Sequence, residues 1–288
     1  MVIKWHLKSG KVSHEKYVLF QWNWHPVLHL VVRISLTMYI TVTMIYYLAN
    51  GNMNLLYLTT WCYIVLTLHL LLSTTLAIYG VATQTDQSPT HSVSVLELTE
   101  FDFSSSEAIQ MEMVVTPNNN AEVPVPTNTS PQQEQLARNF RQPIRCLAVL
   151  SWTLSDVIFV FALMVTLMYW SIIHPSGNTS GASALTIYKE VNVHALNSVF
   201  VIIEELVSAR PVRLLRFIYP TIFGGIYTMF ALMYWLEDKE NHVLYSILNF
   251  NKPEVAGFLC LLVIGIFILH LVHYGLHRFK LFLTNRLS

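Results

Sequence analysis

Two apolar stretches of the chain each carry a group suited to acyl-transfer chemistry. "NLLYLTTWCYIVLTLHLLL" holds Thr59 and Thr60 near one end, and "YKEVNVHALNSVFVIIEELVSARP" holds His194 at a matching depth. A hydroxyl beside an imidazole in a water-poor pocket is the minimum for an activated oxygen nucleophile. The imidazole takes the proton as the hydroxyl attacks. Either threonine hydroxyl would attack, with His194 as the base. Asn197 or Tyr63 could orient groups or donate to the oxyanion, judged from helix facing. The competing use of Thr59 is a hydrogen bond to its own helix carbonyl, as Ser and Thr often make in membrane helices.

The second stretch carries further polar residues. A helix advances about 100° per residue. His194, Asn197, Ser198, Glu205 and Ser208 therefore gather on one stripe, with Glu204 at its edge and Leu196, Phe200, Ile203 and Val207 opposite. His194 and Glu205 are roughly 16 Å apart along the axis, so they belong to separate environments. For Asn197 and Ser198 the alternative is interhelical hydrogen bonding that holds helices together.

Other ionisable residues lie in apolar surroundings, where they are costly and face the protein interior by default. Arg33 in "HPVLHLVVRISLTMYIT" and Asp156 in "SWTLSDVIF" have depths that permit a buried ion pair. His270, His273 and His277 in "HLVHYGLHRFK" share a helix face. Three imidazoles could bind zinc, with His25 and His29 approaching from the same side and Asp156 adding an oxygen. That gives the reading of a histidine-ligated zinc membrane hydrolase. A wetted interfacial histidine set beside Arg278 and Lys280 at a helix C-terminus is favoured instead. No metal or other cofactor is expected.

The elements that must position these groups follow from composition. The chain has 288 residues, 53% hydrophobic and 12% charged, about half the charged share of a globular protein. Windows of about 20 apolar residues, enough to cross a bilayer, recur at 27–49, 54–80, 147–173, 190–208, 214–236 and 255–279. The fold expected is an all-α, polytopic, six-span bundle, since a lipid-exposed backbone must satisfy its own hydrogen bonds. Net charge is zero and no basic stripe interleaves with aromatics, so no nucleic acid is expected. Cys62, Cys146 and Cys260 are scattered and form no disulfide framework. The first span reads as a retained signal-anchor.

Basic clusters fix the sidedness. Lys4, Lys8, Lys11 and Lys16 precede span one, and Arg138, Arg141 and Arg145 precede span three. Arg210, Arg213 and Arg216 follow span four, and Arg278, Lys280 and Arg286 end the chain. Six spans put all of them on one side, so both termini are expected in the cytoplasm. Omitting span four would put the last two clusters on the side opposite the first two. The sequon at Asn178 then faces outward and is the expected glycosylation site, whereas the sequon at Asn128 faces the cytoplasm. The organisation expected is a cytoplasmic segment 1–26, spans one and two over 27–81, a disordered loop 82–145, spans three to six over 146–280 and a tail 281–288. The loop is rich in Thr, Ser, Asn, Gln and Pro.

"LFQWNWHPVLHLVVRISL", "LLYLTTWCYIVLTLHLLL", Asp156, "VHALNSVFVIIEELVSARPVRLL" and "VLYSILNFNKP" resemble the rolling stone family of animal membrane proteins. The resemblance covers nearly all of the chain except the long loop. It implies a cell-surface or secretory-pathway membrane protein, with an association to myoblast fusion and development. The plasma membrane is favoured over the endoplasmic reticulum. A more distant similarity is to the androgen-induced family of membrane hydrolases, which cleave fatty-acid esters of hydroxy fatty acids with an intramembrane Thr and His. Leu58-Thr59 and His194 followed by Glu204 fit that pattern, which implies Thr59 as nucleophile and His194 as base, while Ala195 and Val191 depart from it. Two functions are therefore carried forward. One is a non-catalytic surface component whose partners bind its outer loops, among them "LEDKENH". The other is a lipid ester hydrolase. Membrane lipids surround either.

Overall fold

The computed structural model describes residues 12–13, 26–51, 53–85, 97–98, 131–174 and 183–287. Helix α1 spans Pro26–Ala49, α2 Leu58–Thr85 and α3 Pro131–Met168. Proline opens both α1 and α3, where its missing N–H costs nothing. α3 runs on through one π-helical turn, Tyr169–Ile173. α4, Ala184–Val191, is capped by Ser183, whose hydroxyl accepts from the Thr186 N–H. A second π turn, Asn192–Leu196, joins it to α5, Asn197–Val207. A short 3-10 turn, Leu214–Phe217, leads into α6, Ile218–Glu237. α7 spans Glu254–Leu287. Two short strands, β1 (Val12–Ser13) and β2 (Glu97–Leu98), pair antiparallel.

Five of the helices are long and apolar enough to cross a membrane, over Val27–Ala49, Leu58–Ala82, Cys146–Ile173, Leu214–Glu237 and Glu254–Arg286. The stretch predicted as span four is helical but is not among them. A π turn interrupts it, and Glu204 and Glu205 lower its hydropathy. α3 also begins well before residue 147, so the end of the predicted loop is helical. The sequons at Asn128 and Asn178 lie outside the described residues, as do 86–96 and 99–130.

α3 is the central helix, packed against α2, α5, α6 and α7. Residues 155–162 are all buried, the mark of a helix enclosed on every side. α1 lies on the outside of α2. Gly224 lets α6 come close: a Cβ there would meet Phe161 Cζ at 3.0 Å and Ile266 Cδ1 at 3.2 Å. Gly51, with φ of +64°, makes the turn after α1. The outward faces are apolar, with Leu261, Val263, Ile264, Ile268 and Val272 of α7 all exposed. Such a surface needs lipid around it.

Candidate functional site

Thr59 and His194 line one pocket with room of about 60 Å³. Its walls are otherwise mostly apolar, with Phe161, Met164, Val165, Leu248 and Leu262 prominent beside the hydroxyls of Tyr227, Thr228 and Tyr245. Thr59 lies in the first turn of α2 because the preceding chain is tied down. Tyr227 of α6 donates to the Leu56 carbonyl at 2.9 Å. The Leu58 N–H donates to the hydroxyls of Tyr227 at 3.0 Å and Tyr245 at 3.1 Å. Tyr245 comes from the loop between α6 and α7, and burial pushes its hydroxyl up, so it stays protonated.

His194 sits inside the second π turn. Its ring stacks on Tyr169, the first residue of the other π turn, at 3.6 Å and 5°. π turns insert a residue and re-aim side chains, and they recur at functional sites. The pair therefore marks the place where both helices leave regular geometry. Among the described residues, no hydrogen bond ties the Thr59 hydroxyl to its own helix or to the His194 ring. His194 Nδ1 is buried without a partner. The cavity thus holds a hydroxyl and an imidazole with unspent hydrogen-bonding capacity.

The residues named as oxyanion donors lie elsewhere. The Tyr63 hydroxyl bonds Thr43. The Asn197 amide donates to the Val193 carbonyl at 2.7 Å. Neither lines the cavity.

Farther along the same helical run, Glu204 and Glu205 anchor two separate clusters. Glu204 Oε1 lies 2.7 Å from Arg210 and 3.2 Å from Arg33, and accepts from Ser73 at 2.7 Å. His69 Nδ1 lies 3.1 Å from the Ser151 carbonyl, which can only accept. Nδ1 therefore carries the proton, and Nε2 accepts from Arg210 at 3.3 Å. Glu205 takes Lys280 at 2.7 Å, His273 at 3.2 Å and His277 at 3.4 Å. All of these groups are buried.

The predicted Arg33–Asp156 pair is replaced by two pairs. Arg33 faces Glu204, and Asp156 bonds Arg216. Depth along a helix is readable from sequence, but azimuth in the bundle is not. Glu204 is as buried as Glu205, because α5 packs against α1 and α2 as well as α7. His270, His273 and His277 are not a wetted interfacial set: all three are buried, and His277 faces Glu205 instead of its neighbours. Sequence reasoning missed His69, Ser73 and the ion-pairing of Arg210. The one available signal was a lone histidine in the apolar run "LTLHLLL".

The rolling stone family profile matches residues 127–288, more than half of the chain. The Drosophila melanogaster protein rolling stone is 30% identical over 139 residues, covering 45% of this chain and 48% of that relative. The aligned stretch thus spans about half the length of the relative. No solved structure matches the chain. With its apolar helices and this profile, the chain is a membrane protein of the rolling stone family.

Proposed function

We propose that the protein is an intramembrane hydrolase of lipid esters, such as fatty-acid esters of hydroxy fatty acids. The observation that carries this reading is the shared apolar cavity with Thr59 and His194 on its walls. The Thr59 oxygen attacks the ester carbonyl as His194 takes its proton. The alkoxide then leaves with that proton, and water releases the acyl group from Thr59 by the same route in reverse. The positive end of α2 lies beside Thr59 and favours the developing oxyanion. The apolar walls hold the acyl chain.

In this reading the helical run 184–207 is span four of six. At 1.5 Å per residue it is on the order of 35 Å long, against a hydrocarbon core of about 30 Å. Both termini then lie in the cytoplasm, and Asn178 is the glycosylated sequon. Glycan at Asn128 would overturn that topology.

The functional test compares purified wild type, Thr59→Ala and His194→Ala on a panel of lipid esters. Hydrolysis falling by about a thousandfold or more in both variants, with folding intact, supports the enzyme. A second reading is a non-catalytic component of cell–cell fusion or development at the plasma membrane, engaging partners through its outer loops. The lack of a hydrogen bond between Thr59 and His194 favours it. No turnover of any ester by folded wild type would put it ahead.

A further inference from the structure

Where α3, α7 and the segment joining α5 to α6 meet, three side chains turn only acceptors toward one another. His270 Nε2 lies 2.9 Å from the Arg213 carbonyl. A carbonyl cannot donate, so Nε2 carries the proton and Nδ1 keeps a lone pair. His273 Nε2 lies 3.2 Å from Glu205 Oε2, whose other oxygen holds Lys280. Its proton is likewise on Nε2, and its Nδ1 is bare. Asp156 spends Oδ2 on Arg216 and keeps Oδ1.

These remaining atoms, His270 Nδ1, His273 Nδ1 and Asp156 Oδ1, are buried and have no hydrogen-bond partner. All three residues are 0% exposed. Their ligand atoms lie within 4.8 Å of one another. His273 Nδ1 is 3.8 Å from Asp156 Oδ1, too far for a hydrogen bond. Three converging lone pairs with no donor among them are costly in a buried setting. One cation would satisfy all three.

We propose that Asp156, His270 and His273 form a binding site for a divalent transition-metal ion of the zinc class. Two neutral imidazoles and a carboxylate suit zinc and its neighbours, whereas calcium and magnesium require mainly oxygen. Each histidine gives its other N–H to a carbonyl or carboxylate, the arrangement that orients metal-ligating histidines. The His273 ring is further held by stacking on Phe159 at 4.0 Å and 9°. A tetrahedral zinc holds ligand atoms about 3.3 Å apart at bond lengths of about 2.0–2.1 Å, so small side-chain rotations close the site. The Arg216 guanidinium lies over the Trp152 ring at 3.6 Å and the Tyr219 ring at 4.6 Å, on the Oδ2 side. Asp156 and Glu205 already share their charges with Arg216 and Lys280, which tempers the attraction for a cation.

The site is independent of the Thr59–His194 cavity, and its test is too. Zinc alone is titrated into the full-length protein in detergent against a competing chelator. The expected result is one equivalent per chain in wild type, Thr59→Ala, His194→Ala and His277→Gln. His270→Gln and His273→Gln should each weaken it by at least about tenfold. No stoichiometric binding by folded wild type, binding unchanged in both ligand variants, or loss in His277→Gln overturns the site. If the ligand variants fail to fold, cobalt in wild type decides. Intense visible bands of a four- or five-coordinate ion support the site, and a weak octahedral spectrum overturns it.

Discussion

Glu204 and His194 belong to one helical run and stand in opposite circumstances. Glu204 meets Arg33, Arg210 and Ser73 at hydrogen-bond or ion-pair distance. His194 has a stacking partner and an unpaired Nδ1. One end of the bundle has charges that complete each other across α1, α2, α5 and α7. The other has a mostly apolar cavity in which the Thr59 hydroxyl and the His194 ring hold no helix in place. Removing a partner from a buried charge pair leaves an uncompensated charge, while removing an unengaged hydroxyl leaves nothing behind. The charged end is therefore expected to govern stability, and the cavity to govern function.

The largest effect expected is from Glu204→Leu, which strands Arg33 and Arg210 in the interior. A loss of about 3–5 kcal/mol follows, read as a collapse of the thermal transition in detergent. Lys280→Met removes a donor to Glu205 Oε1 and to the Glu205 and Ser208 carbonyls. His273 and His277 remain on Glu205, so the cost is smaller, about 2–3 kcal/mol. Gly224→Val crosses between the two regions. It drives side-chain atoms into Phe161 and Ile266 beside the cavity. The expected cost is roughly 1–3 kcal/mol, with turnover of long-chain esters reduced more than that of short ones. Thr59→Ala sits at the other extreme, with a stability change within about 0.5 kcal/mol and hydrolysis abolished. A Thr59→Ala variant as unstable as Glu204→Leu would erase the distinction between the regions.

How much of this was legible in the sequence depended on the kind of information needed. Of the six spans that apolar length predicted, five match helices long and apolar enough to cross a membrane, because hydropathy is a local property. Thr59 and His194 could be matched in depth for the same reason, and the fold does bring them to one cavity. Partners across the bundle were not legible. Arg33 and Asp156 each sit in a buried pair, but with Glu204 and Arg216, because pairing depends on which helices are neighbours and how each is rotated. The π turn at 192–196 compounds this: it changes the angular register of every residue after His194 relative to those before it. The basic residues counted for sidedness hid a second role. Arg210, Arg216 and Lys280 are buried ion-pair members, so they mark an end of the bundle without lying on its surface. Nothing in local composition separates such an arginine from one that faces solvent.

The functional reading of the cavity requires a nucleophile at Thr59 that His194 activates. Purified wild type, Thr59→Ala and His194→Ala should be treated with a fluorophosphonate probe of serine and threonine hydrolases and mapped by peptide mass spectrometry. The expected result is probe mass on Thr59 in wild type, none in Thr59→Ala and strongly reduced labelling in His194→Ala. Folded wild type that takes no label at Thr59, or labelling undiminished in His194→Ala, would contradict it.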